Sequence, residues 1–332
     1  MTNSTPCIVV TGGAGFIGSN IVAHFAGSAD VVVSDRLGQD ERWRNLAKHD
    51  VADLVVPERL DDFLSAHRQE IDAIIHMGAI SSTTERDVDA IVKNNFVLSR
   101  ELWNWCAKNE CRFIYASSAA TYGGGEVGFE DDESPQALAR LRPLNAYGWS
   151  KHLFDRYVAR SLARGGPRPT QWAGLKFFNV YGPNEYHKDS MSSVISRIQP
   201  PAGRGESVKL FRSHNPEYED GGQSRDFIFV DDCVSVIDWL FANRQVNGLF
   251  NLGTGSARSF ADLARALFAA LDRPENVQYV PTPEEIRDKY QYFTEARMER
   301  LRAAGYEPPF TELEDGIRRY VRDYLAAADP YR

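Results

Sequence analysis

Tyr147 and Lys151 stand four residues apart in the run Tyr-Gly-Trp-Ser-Lys. On a helix this spacing puts both side chains on one face. An ammonium beside a phenol favours the phenolate and lowers the tyrosine pKa, giving a general base usable near neutral pH. Surface pairs of this kind also occur on ordinary helices, so the surrounding residues decide the meaning. Residues 115–123 read Tyr-Ala-Ser-Ser-Ala-Ala-Thr-Tyr-Gly and end an apolar stretch in hydroxyls. Ser118 there can hydrogen-bond a substrate alcohol beside Tyr147. Gly78-Ala79, after the apolar run that ends at His76, leaves room for a bound cofactor. His76 itself reads as a satisfied strand-end histidine rather than a catalytic one.

These groups need a rigid frame, and the N-terminal third supplies its pattern. Cys7 to Val10 suits a buried strand, and Phe16 to Phe25 suits a helix with Ile17, Ile21, Val22 and Phe25 on one face. Between them lies Thr-Gly-Gly-Ala-Gly-Phe-Ile-Gly at 11–18. Gly12 and Gly15 allow a tight turn and a close approach of backbone N–H groups to a diphosphate. Gly18 lets the helix pack on the strand, and the helix N-terminus faces the anion. A second strand, Asp30 to Ser34, ends at Asp35, which is placed to accept hydrogen bonds from an adenosine ribose. Further strands are expected at Asp72–His76, Arg112–Ser117 and Trp172–Asn179, with helices at Val88–Asn109 and Tyr147–Ala163. Such alternation predicts a parallel sheet covered by helices on both faces, with ligands beyond the carboxyl ends of the strands. Within the long helix, Phe96, Trp103 and Trp105 read as core.

The second half is more broken. Short strands are expected at Val208–Phe211, Phe227–Val230 and Leu249–Leu252, helices at Ser259–Leu271 and Glu312–Ala327, and an exposed loop at Asn215–Gln223. A smaller lobe that closes over the sheet edge follows.

Composition narrows the function. The chain has 332 residues, 43% hydrophobic and 25% charged, with a net charge of −8. That is ordinary globular composition with no basic tract, which argues against nucleic acid as a partner. The four cysteines lack C-x-x-C spacing and the seven histidines form no ligand pattern, so free thiols and no metal site are expected. Without an apolar run of about 18 residues, no membrane span is expected. The N-terminal residues are too few for a signal peptide ahead of the first strand, and a cytoplasmic enzyme is expected.

In order along essentially the whole chain, five further motifs accompany the glycine turn. They are the Ser118 region, Tyr147-x-x-x-Lys151, Phe-Asn-Val-Tyr-Gly-Pro at 178–183, Arg-Asp-Phe-Ile-Phe-Val-Asp-Asp at 225–232 and Asn-Leu-Gly-Thr-Gly at 251–255. With them the chain resembles an extended short-chain dehydrogenase/reductase, the group that includes nucleotide-sugar epimerases and dehydratases. Ser-Ser-Thr-Thr-Glu at 81–85 and His-Lys-Asp-Ser-Met at 187–191 are similar to segments of the ADP-glyceromanno-heptose 6-epimerase family. So are Tyr-Gln-Tyr-Phe-Thr at 290–294 and Leu-Arg-Ala-Ala-Gly-Tyr at 301–306.

The resemblance implies an α/β fold: a Rossmann-type doubly wound parallel sheet with a smaller α/β substrate-binding lobe. Residues 1–180 would form mainly the dinucleotide-binding domain and 181–332 mainly the lobe, with segments at about 225–255 returning to the large domain. It implies hydride removal from C6 of an ADP-heptose, reorientation of a 6-keto intermediate and hydride return to the opposite face. The product belongs to lipopolysaccharide core synthesis. Two faces need two proton carriers: Tyr147, and Lys188 of the His-Lys-x-Ser-Met stretch. Lys151 would orient the nicotinamide ribose, and Ser118 would bind the reacting oxygen. From position alone Lys188 reads as an exposed loop lysine.

For the cofactor the resemblance points to Gly12, Gly15, Phe16, Ile17, Gly18, Asp35, Arg36, Arg42, Met77, Gly78, Ala79, Ser81, Asn94 and Val180, beside Tyr147, Lys151 and Lys188. For the substrate it points to Ser118, Asn179, Ser190, Arg197, Phe211, Arg212, Ser213, Arg225 and Tyr290. A guanidinium matches phosphate geometry, which singles out Arg225. Arg197 stands where the family often has His, and the 215–222 loop is longer than the pattern. Asp35 favours a free 2′-hydroxyl and hence NAD, whereas Arg36 and Arg42 can neutralise a 2′-phosphate. The family generally uses NADP, so tightly bound NADP, one per subunit, is expected, with NAD the alternative. A homo-oligomer, for instance a pentamer, is implied. Other readings are an epimerase or dehydratase for another nucleotide sugar, and a non-catalytic dinucleotide-binding protein. Ala119-Ala120, where a dehydratase usually carries Asp-Glu, counts against a dehydratase.

Overall fold

The structure is a computed structural model that describes residues 5–287 and 291–332. Five crossings of the first half and one late return build a sheet of seven parallel strands. These are β1 (Cys7–Thr11), β2 (Asp30–Ser34), β3 (Asp53–Val55), β4 (Ile71–His76), β5 (Arg112–Ser118), β6 (Trp172–Phe177) and β10 (Gly248–Leu252). Their order is β10-β6-β5-β4-β1-β2-β3. Direction reverses beside β1, the switch point where such sheets bind ligands. The strands are almost wholly buried, because helices cover both faces. The main helices are α1 (Phe16–Phe25), α2 (Leu60–Ala66), a long run α3 that ends in Leu98–Lys108, and α4 (Ala146–Ala163). They are followed by α5 (Val194–Gly203), α6 (Val230–Ala242), α7 (Phe260–Ala270) and α8 (Leu313–Tyr320).

Trp172–Asn179 is not one strand, as its unbroken apolar run suggests. At Phe178 the chain leaves the large sheet, and β7 (Asn179–Tyr181) pairs with β9 (Ser224–Phe229) in a second sheet of order β11-β9-β7. There β11 is Ala257–Ser259; a third sheet joins β8 (Val208–Phe211) to β12 (Val277–Val280). The reversal of partners at Phe178 moves the Asn-Val-Tyr segment out over the strand ends. Apolar sequence does not signal it, since both sides of the break are strands in sheets.

The expected helix Val88–Asn109 carries a π-helical stretch, Val92–Val97, between its α-helical ends. This wider turn points the fully buried Asn95 at the segment after β4. Its amide donates to Ile80 O at 2.9 Å and Ser150 Oγ at 3.0 Å, and its Oδ1 accepts from Ile80 N at 2.8 Å. π-Turns gather at functional sites, and this one ties the cleft wall at Ile80 to α4. Trp103 is fully buried, and Phe96 and Trp105 pack partly buried on the same core, as the core reading expects. Three of these helices, α2, α5 and α6, lie where sequence reading placed none. Ser193 caps α5 within the polar 183–223 region, and α6 grows directly from β9.

His76 is buried, with Nδ1 2.6 Å from Thr11 Oγ1 and Nε2 2.9 Å from Ser99 Oγ, the satisfied role expected of it. Burial, helped by the Lys151 charge, lowers its pKa from 6.5 to about 3. Burial also lowers His152 and His187 to about 4. The folded chain therefore holds these rings neutral while the unfolded chain protonates them. Stability falls as pH drops from the ordinary histidine pKa toward those depressed values. Thermal melting is expected to weaken between pH 7 and 5, and His76→Gln to flatten that dependence by one proton, about 1.4 kcal/mol per pH unit. An unchanged slope in the variant contradicts the assignment.

Candidate active site

Gly12 takes a φ of +66°, and a Cβ there would lie 2.6 Å from Gly78 Cα. A Cβ on Gly18 would lie 2.1 Å from Gly12 O. Close approach of β1, β4 and α1 thus demands glycine at both positions. Helix α1 begins after Gly15 with no side-chain cap and no acidic residue in its first turn. Its free N–H groups and positive end suit a diphosphate. Asp35, past β2, accepts from Ala14 N at 3.0 Å and Arg36 N at 2.7 Å. Burial raises its pKa against the pull of these bonds.

A cleft of about 570 Å³ runs across these strand ends. It is lined by Gly12, Gly15, Phe16, Ile17, Gly18, Asp35, Arg36, Arg42, Met77, Gly78, Ala79, Ser81, Asn94, Tyr147, Lys151 and Lys188. Val180 is not in its wall but packs partly buried between the two cores. Pro57, Ile80, Phe177, His187 and Met191, which sequence reasoning did not assign to the site, are also in the lining. His187 and Met191 carried a signal, as members of the same short stretch as Lys188. The uncapped helix end and the carboxylate beyond β2 fit a nicotinamide dinucleotide, which supplies a hydride acceptor and donor when bound. Arg36 pairs with Glu58, and Arg42 grips Asp40 through Nε at 3.0 Å and Nη2 at 2.8 Å.

Tyr147 stands in the first turn of α4, which Asn145 caps by accepting from Gly148 N at 2.8 Å. A Cβ on Gly148 would meet Ala120 O at 2.6 Å, so the helix start lies hard against the segment after β5. That contact brings Tyr147 to Ser118. Burial raises the Tyr147 pKa, and the Ser118 hydroxyl lowers it through a hydrogen bond. Lys151 lines the same cleft one helical turn further on. Its Nζ donates to Ala116 O at 2.8 Å, and burial brings its pKa down to about 8. A backbone carbonyl near its reach holds the ammonium against the strand.

Lys188 lines the same cleft from the segment ahead of α5. It is partly buried rather than an exposed loop lysine, with Nζ 5.6 Å from the Phe16 ring centroid. Burial lowers its pKa, and the Glu185 carboxylate opposes the shift. Asn184 at φ +74° and Asp189 at φ +46° flank it. Left-handed backbone at two non-glycine residues is costly and marks a segment held by its surroundings. Asn184 Nδ2 bonds Ser19 Oγ at 3.0 Å, which anchors that segment to α1.

Of the sequence-predicted substrate residues, Asn179, Arg197, Phe211, Arg212, Ser213 and Arg225 are not in the cleft wall and stand on several elements. Asn179 is exposed on β7. Arg197 projects exposed from α5, and Arg212 is exposed after Phe211 at the end of β8. Ser213 Oγ bonds Asn215 O at 2.6 Å inside the longer loop. Arg225 donates to Ser224 O at 2.8 Å and also to Gln291 O. Tyr290 lies outside the described residues, and Ser190 belongs to the turn that ends at Met191.

Residues 8–253 match the model of the NAD dependent epimerase/dehydratase family. The chain belongs to that family. Among members, an ADP-L-glycero-D-manno-heptose-6-epimerase of Nitratidesulfovibrio vulgaris is 51% identical over 97% of this chain and 99% of its own. The Helicobacter pylori ADP-L-glycero-D-manno-heptose-6-epimerase structure covers 96% of both chains at 28% identity, TM-score 0.78. The Thermus thermophilus UDP-glucose 4-epimerase complex with NAD has TM-score 0.75 at 26% identity, over 97% of this chain and 99% of that one. The family and this complex support a nicotinamide cofactor. Among the described residues no helix is long and apolar enough to cross a membrane.

Proposed function

We propose that the protein epimerises ADP-D-glycero-D-manno-heptose at C6 to ADP-L-glycero-D-manno-heptose, a precursor of lipopolysaccharide core. The observation that carries this is that Tyr147, from α4, and Lys188, from the segment ahead of α5, line one cleft. The 51% identity to a heptose epimerase over nearly the full chain supports the substrate. Tyr147 takes the proton of the C6 hydroxyl as its hydride leaves. The 6-keto intermediate turns over, and hydride returns to the opposite face. The reacting oxygen then lies on the other side, where Lys188 exchanges the proton. Ser118 hydrogen-bonds the reacting oxygen, and Lys151 orients the nicotinamide ribose. Residues Asn179, Ser190, Arg197, Phe211, Arg212, Ser213, Arg225 and Tyr290 are assigned to the ADP-sugar. We divide the chain functionally near residue 180 and assign it a homo-oligomeric, cytoplasmic state.

The purified protein is to be mixed with ADP-D-glycero-D-manno-heptose without added cofactor, and the C6 configuration followed by NMR. Conversion to the L-glycero epimer is expected. No conversion, even with NADP and then NAD supplied, rejects the reading.

NADP is assigned as the cofactor. Both Asp35 oxygens already accept backbone N–H groups, so this carboxylate serves the turn as much as a ribose. Arg36 and Arg42 line the same end, and their partners Glu58 and Asp40 are surface carboxylates that compete weakly with a phosphate. Cofactor released by denaturation is expected to be NADP. Replacing Arg36 and Arg42 by Ala should cut NADP retention about tenfold or more per residue, with NAD little affected. Release of NAD from the unaltered protein overturns the assignment.

A further inference from the structure

Asp155 and Lys176 form an ion pair with both side chains fully buried, Nζ to Oδ2 2.7 Å. Asp155 lies on α4 two helical turns beyond Tyr147, on the face that also carries Lys151. Lys176 comes from β6. A buried ion pair is weak ground for stability, since an apolar pair of the same volume often serves as well. What it offers is direction, and here every bond leads to the proton-transfer groups. Asp155 Oδ2 accepts from Ser117 Oγ at 2.7 Å, and Oδ1 from Tyr115 OH at 3.2 Å. Lys176 Nζ donates to Thr121 Oγ1 at 2.6 Å, and that hydroxyl donates to Ser118 O at 2.8 Å. Ser118 is thus held from both sides: through its neighbour Ser117 to α4, and through Thr121 to β6.

We propose that the Asp155–Lys176 pair is the positioning element of the proton-transfer site, fixing the Ser117–Thr121 segment so that Ser118 is held beside Tyr147. This rests on the functional reading above. Ser118 is the group whose hydrogen bond favours the Tyr147 phenolate, so a Ser118 that drifts leaves the phenol harder to ionise. Asp155 also opposes the burial that drives protons off Lys151. Other groups face the pair. The Tyr122 ring lies 4.9 Å from Lys176 Nζ, His152 shares α4 and feels both charges, Asp131 feels Lys176, and Glu133 faces Tyr115. His152 stays neutral near pH 7 because burial holds it at about 4, so it does not titrate across the working range.

Thr121→Val cuts the link to Ser118 while leaving both charges in place. In the holoenzyme it is expected to lower kcat about tenfold with KM unchanged. Asp155→Asn, made alone and with Lys176→Met to remove the orphaned charge, is expected to lower kcat about a hundredfold, the scale of a misplacement near 1 Å. In all three, Tyr147 should ionise at higher pH. This is read by ultraviolet phenolate absorbance as the difference from the matching Tyr147→Phe protein. That readout needs no substrate, so it judges the pair even where the unaltered protein fails to turn over the heptose. A folded Thr121→Val protein with unchanged kcat and Tyr147 titration overturns the proposal. So does a double variant that regains both along with its melting temperature, since the pair would then serve the fold alone.

Discussion

Tyr147→Phe is expected to lower epimerisation of ADP-D-glycero-D-manno-heptose by about a thousandfold, the middle of the range for a positioned acid–base group. The ring stays, so the start of α4 and its packing on Ala120 are kept. Bound cofactor, held mainly by the glycine turn and the strand ends, should remain at the unaltered stoichiometry. The loss should appear in kcat rather than KM, because the phenol acts as the proton moves and not when the sugar binds. Activity within threefold of the parent, measured by NMR of the C6 configuration, removes Tyr147 from the chemistry.

The second large effect is at Lys188. Lys188→Ala should lower full epimerisation about a hundredfold and leave cofactor bound. Its more telling consequence concerns direction. The two faces of the C6 carbon present their oxygen to different proton carriers, so each variant should fail with a different epimer. Single-turnover mixing with each epimer in turn, following reduction of the bound nicotinamide, tests this. One epimer should still be oxidised by the Lys188→Ala protein and the other by the Tyr147→Phe protein. Loss of oxidation with both epimers in one variant and with neither in the other means that one side of the cleft does all the proton work.

Much of this site could be read from residue types. The glycine turn, Asp35 and helix Phe16–Phe25 lie where their pattern put them, because a tight turn between strand and helix leaves little freedom. Tyr147 and Lys151 share a cleft as their spacing required. What the pattern could not give was the aim of each side chain. Lys151 bonds a carbonyl two residues before Ser118, a contact set by the register of β5 against α4. Asn95 reaches Ile80 through a π-turn with no periodic signature. Lys176 sits inside a run of apolar residues, and its partner Asp155 is 21 positions away. Long-range pairings of this kind leave no local trace. Arg197 and Arg212 are exposed, and solvated side chains take their position from a ligand as much as from the chain.

Strand β10 has a consequence for how the chain is made. It pairs with β6 in register, Asn251 opposite Lys176, and reaches that place from far along the chain. Until it arrives, β6 is an open edge whose side chains, Trp172 and Leu175 among them, are buried in the finished molecule. A nascent chain that has emerged only as far as β6 therefore presents a flat, apolar, unpaired edge to its neighbours. Crowded polysomes and slow translation between residues 178 and 248 become the hazardous stage for this protein. Synonymous codons that pause the ribosome there should raise the aggregated fraction without altering a single residue.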